Sequence, residues 1–185
     1  LGCERSAVNG ELKRIRERFT KVNSPLQRRC HEEIRKRLAG YPDLSGVADQ
    51  LVEVVERYLR TPSFLVRSGL LSDNGLTPDG LVAALDRLDG RSPSLGQLID
   101  GFFRFLAERC SKEERVLYLD ALGKVSVGTK RDDEDDEGPT SRRLLPNVRL
   151  ANGEVNAETR HRLMATFNTP FFPEVLVASA VMAEG

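Results

Sequence analysis

At 185 residues, with 28 Lys and Arg against 28 Asp and Glu and 39% hydrophobic residues, the chain is neutral and long enough for one sizeable core or two small ones. Neutrality excludes a general pull towards nucleic acid or anionic membrane, so any polyanion must be bound by a local patch. No apolar run approaches the roughly 20 residues of a membrane span, no signal peptide opens the chain, and three separated cysteines (Cys3, Cys30, Cys110) argue against a disulfide framework and for a reducing, cytoplasmic setting.

From the amino end the pattern is helix after helix. Val8, Leu12, Ile15 and Phe19 recur at helical spacing with charged residues between them. Ser24-Pro25 is a start signal, because a hydroxyl caps free N–H groups and proline occupies the first turn without losing a bond. The helix it opens carries Leu26, Cys30, Ile34 and Leu38 four apart and stops at Gly40. Ser45 is expected to open a third helix with Val47, Leu51, Val54, Val55, Tyr58 and Leu59 inward, ended by Thr61-Pro62. Phe64-Leu65-Val66 is too short to assign.

The same start chemistry recurs further on. Thr77-Pro78 opens a helix bearing Leu81, Val82, Leu85 and Leu88 and ending at Asp89-Gly90. Ser92-Pro93-Ser94 opens one bearing Leu95, Leu98, Ile99, Phe102, Phe105 and Leu106. Ser111 with Glu114 is a capping box before Val116, Leu117, Leu119 and Leu122, and Gly123 is a stop. Residues 1–123 therefore read as a bundle of about six helices without a fixed-period repeat.

Residues 124–146 read as a flexible acidic linker. Asp132 to Glu137 are six consecutive acids followed by Gly138-Pro139, which repel one another and bury nothing. Gly123 to Lys130 invites comparison with a phosphate-binding loop, which needs Gly, four residues, then Gly-Lys-Ser/Thr after a strand. Here Gly128-Thr129-Lys130 has the last two swapped and no strand precedes it, so a helix stop and linker is the better reading. Cys30 and His31 are adjacent, point about 100° apart on a helix, and cannot chelate one ion as an i, i+4 pair does. Cys30 is expected to be a core thiol. His161, between Arg160 and Arg162, has no triad partner nearby in sequence. No independent catalytic or metal site emerges.

Residues 147–185 change pattern. Val148 to Ala151, apolar but for Arg149, reads as a short strand closed by Asn152-Gly153, a helical run follows through Arg160 to Phe167, and Val175 to Ala178 is a second strand running into Ser179 and small residues. Strands that are apolar throughout (Val175 to Ala178) or but for Arg149 (Val148 to Ala151) point to a parallel sheet covered by helices, in which ligands collect beyond the strands' carboxyl ends. The expected fold is mainly α, a helical bundle followed by a small α/β strand–helix–strand segment.

The spacing of Asn152-Gly153, Arg160, Phe167-Asn168 and then Val175 to Ser179 with Gly185 resembles the second RecA-like domain of superfamily 2 helicases, closest to RapA-like and Swi/Snf-type translocases. The resemblance covers about the last quarter of the chain and includes the strand-to-loop element called motif V in that family. It implies a RecA-like segment with the bundle as an insertion, in a fragment of a larger ATP-dependent helicase or translocase. It also implies that Asn152, Gly153 and Ser179 lie on a nucleic-acid track, most naturally DNA, and that Glu184 and Gly185 lie on an ATP cleft between two domains. Arg160 and Arg162 match basic helix positions that are expected to hold surface charge pairs. ATP and Mg would belong to the parent enzyme, with the remaining helicase domains as partners. This chain alone, without a phosphate-binding lysine loop, an Asp-Glu metal motif or an arginine finger, is expected to be inactive. Two other classes stay open: a non-enzymatic helical interaction or regulatory module, for which the capped bundle suffices, and a nucleic-acid-binding piece without catalysis, whose affinity is expected to fall steeply with salt.

Overall fold

The computed structural model describes residues 17, 21, 24–61, 64–65, 77–88, 93–124, 148–151, 155–171 and 175–178. The described chain is mainly α-helical. It divides into two compact units, Leu1–Arg109 and Cys110–Gly185.

The first unit is built on helix α1, Pro25–Leu38. Ser24 caps it, its Oγ accepting from Gln27 N at 3.1 Å, and the four-apart stripe Leu26, Cys30, Ile34 and Leu38 is buried as the periodicity predicts. A 3-10 turn over Pro42–Val47 then runs directly into α2, Ala48–Leu59. Ser45 therefore caps nothing: it lies inside the turn, and Val47 occupies the cap position with no side-chain hydrogen bond. Leu51, Val52, Val54, Val55, Tyr58 and Leu59 are buried. Arg35 pairs with Asp49 while His31 and Gln27 meet Glu56, so α1 and α2 lie antiparallel.

Thr77 caps α3, Pro78–Leu85, with Oγ1 accepting from Gly80 N at 3.0 Å. The helix ends at Leu85, short of the predicted Asp89-Gly90, and Leu88 is 63% exposed. Asp86, at the C-cap, is bonded to Arg37 of α1. Helix α4, Leu95–Glu108, begins with a complete capping box between Ser94 and Gln97. Its buried stripe is Gly96, Ile99, Phe102, Phe103 and Leu106; Leu98 and Phe105, predicted to be inward, are partly exposed instead. Phe103 takes the inward position and meets Tyr41 edge-on, with ring centroids 6.3 Å apart. Helix α1 packs on α2 and α3, and α4 packs on the 3-10 turn.

In the second unit, α5 (Lys112–Gly123) carries the predicted capping box, with Glu114 N donating to Ser111 Oγ at 3.2 Å and Ser111 N to Glu114 Oε2 at 2.7 Å. The sequence reading grouped this helix with the bundle; it falls in the second unit, where it packs on α6, Ala157–Phe167. Leu119 and Leu122 face inward, whereas Val116 and Leu117 are 61% and 67% exposed, so the apolar residues of α5 do not all share one side. Two strands, β1 (Val148–Ala151) and β2 (Val175–Ala178), pair in parallel, Val148 opposite Val175 and Ala151 opposite Ala178. Helix α6 packs against β1. Among the described residues no helix is long and apolar enough to cross a membrane.

Candidate functional site

The residues that the sequence singled out for function, Asn152, Gly153, Ser179, Glu184 and Gly185, lie outside the described residues, as do the acidic run 132–137 and residues 125–130 of the glycine-bounded loop. The structure describes what precedes and connects them. Strands β1 and β2 end on the paired residues Ala151 and Ala178, and Asn152 and Ser179 come next in the chain. Parallel strands need a crossover of a dozen or more residues, usually helical, and α6 lies within the intervening stretch.

The ends of α6 are fixed by local chemistry. Asn156 Oδ1 accepts from Thr159 N at 2.8 Å to open the helix. At the other end Thr166, fully buried, donates its hydroxyl to the carbonyls of Arg162 and Leu163, and Thr169 Oγ1 donates to Thr166 O at 2.6 Å. Phe171 N donates to Thr169 Oγ1, so Thr169 ties the stretch Phe167-Asn168-Thr169-Pro170 back to the end of α6. Arg160 does not hold the expected surface charge pair among the described residues: Nη2 donates to Val155 O at 3.1 Å, and the buried Nε has no hydrogen-bond partner there. Arg162 donates to Thr159 Oγ1 at 3.4 Å.

The first unit brings together two polar clusters that the sequence reading did not single out. At one, Arg37 of α1 reaches three carboxylates. Nη2 donates to both oxygens of Asp86, each at 2.8 Å, Nη1 donates to Asp100 Oδ2 at 2.9 Å, and Nε donates to Glu33 Oε1 at 3.1 Å. Burial works against the guanidinium charge; the hydrogen bond to Asp86 and the charges of Asp100, Asp86 and Glu33 outweigh it and hold Arg37 charged above its ordinary range. Gly96, in the first turn of α4, leaves the space that this pair occupies, since a Cβ there would overlap the Asp86 carboxylate and stand 2.8 Å from Arg37 Nη1. Arg37 engages all three carboxylates, and Arg29 Nη1 also stands 3.9 Å from Glu33 Oε2. The cluster's chemistry is that of a clasp joining α1 to the end of α3 and the start of α4.

At the other cluster, the buried Glu56 of α2 takes His31 Nε2 at 2.5 Å and Gln27 Nε2 at 3.4 Å on the same oxygen, and Arg60 Nε stands 3.8 Å from the other oxygen. An imidazole held by a carboxylate is half of a base dyad or of a metal ligand with its supporting shell. The neighbouring thiol does not complete it. Burial first, then the charge of Glu56, with Arg60 opposing, push Cys30 up to about 12, so it stays a protonated core thiol. Cys30 and Cys110 are both free and buried. Among the described residues no group of three His, Cys, Asp or Glu side chains could hold a metal ion.

Nor does the outer face of α1 form a polyanion patch. Arg28, Arg35 and Lys36 are exposed there, but Glu32 lies between them and Asp49 stands 2.6 Å from Arg35. A signal for the clusters does exist in the sequence: Glu33 and Arg37 are an i, i+4 pair, and Glu56 sits among Val54, Val55 and Tyr58 on the apolar side of α2. Their partners Asp86 and Asp100 are far away along the chain and carry no comparable mark.

No family model, curated protein or solved structure matches this chain.

Proposed function

We propose that the chain is a segment of an ATP-dependent superfamily 2 helicase or translocase, in which residues 147–185 form a strand–helix–strand part of the second RecA-like domain. In this reading Asn152, Gly153 and Ser179 contact the sugar-phosphate backbone of nucleic acid, Glu184 and Gly185 border the ATP cleft, and the bundle is an insertion. ATP with Mg binds the parent enzyme, whose other domains supply the hydrolytic groups. The observation that supports the reading is the parallel, in-register pairing of β1 and β2, ending level at Ala151 and Ala178. In open sheets the residues that follow such ends are where ligands gather. A serine hydroxyl and the backbone N–H groups after a strand can hold a phosphate oxygen, a contact that positions the strand without reading its sequence.

The test uses the natural polypeptide that carries this sequence, captured with an antibody against residues 1–185. Its mass is expected to be several times 20.6 kDa and its ATP hydrolysis to be stimulated by DNA. Ser179→Ala in that polypeptide removes one hydrogen bond to a charged group, about 1.5 kcal/mol, and so raises the DNA concentration for half-maximal stimulation roughly tenfold. A product of this chain's own size without ATPase activity would sink the proposal and leave the helical interaction module.

A further inference from the structure

We draw no further inference here: the strongest candidate, the patch of large apolar side chains that α5 and α6 leave exposed (Val116, Leu117, Met164 and Phe167), has nothing in the structure to show what covers it.

Discussion

Burial keeps the Cys30 thiol protonated, and this has a measurable consequence for stability. Below pH 9 the thiol carries its proton in both the folded and the unfolded chain. Between pH 9 and about 12 the unfolded chain loses a proton that the folded chain keeps, so the folded state weakens as pH rises. The limiting slope is about 1.4 kcal/mol per pH unit for one group. Cys110, raised by its own burial and then by Glu114, adds in the same direction. Urea unfolding measured across this range should show the alkaline loss, and Cys30→Ala should flatten it in part. An unchanged slope in that variant would mean that Cys30 titrates normally. At pH 8 the native chain should also leave Cys30 unmodified by iodoacetamide while the urea-unfolded chain does not.

Gly96 and Arg37 form the other residue-scale case. Glycine in a helix costs about 1 kcal/mol relative to alanine, so Gly96→Ala in an isolated helix would be stabilising. Here the added methyl group must displace the Asp86 carboxylate, itself held by Arg37. Gly96→Ala is therefore expected to destabilise the native chain, and to cost less once Asp86→Ala has removed the nearer obstacle, Arg37 Nη1 still standing 2.8 Å from the added Cβ. A double-mutant cycle by denaturant unfolding reads the coupling, expected on the order of 1 kcal/mol. Strict additivity would show that the clasp does not need the glycine.

At the scale of elements, the starts of the helices were legible because capping is local chemistry. Ser24, Thr77, Ser94 and Ser111 each accept from the N–H three residues on, and the last two are complete boxes. The turn over residues 42–47 broke the rule at Ser45, since a 3-10 helix feeding an α-helix already holds the chain and needs no hydroxyl cap. Inward faces were less legible. On α4 the spacing of Leu98 and Phe105 was as good as that of Phe102 and Leu106, and only packing against Tyr41 chose Phe103. On α5 the exposure of Val116 and Leu117 leaves fewer buried contacts to hold the helix, so its cap carries more weight. Ser111→Ala is expected to cost about 1 kcal/mol and to speed hydrogen exchange in the first turns of α5. Ser111→Asp, which keeps an acceptor at the helix start, should restore most of the protection. If both variants exchange alike, the box is not what holds that end.

At the scale of the molecule, the mainly helical architecture could be read from periodicity, but the contacts that join its helices could not. Arg37 reaches Asp86 and Asp100 across 49 and 63 residues, and no local pattern announces such partners. The candidate residues Asn152, Gly153 and Ser179 were named only by a resemblance in the spacing after two short strands, without any local chemistry of their own, and they lie outside the described residues. Helix α5 has the same capped start as the bundle helices, and its grouping with the second unit comes from packing with α6, which no local pattern announces. The division at Arg109 and Cys110 makes its own prediction. Removing the Arg37 side chain leaves the buried Glu33 carboxylate without its closest cation and costs about 3 kcal/mol. In the whole chain, Arg37→Met should therefore speed amide exchange throughout α1, α3 and α4 while α5 and α6 keep their rates, because contacts within each unit carry its stability. Arg37→Lys should behave nearly as badly, since one ammonium cannot reproduce the three-way reach of the guanidinium. Equal acceleration in α5 and α6 would show instead that the two units unfold as one.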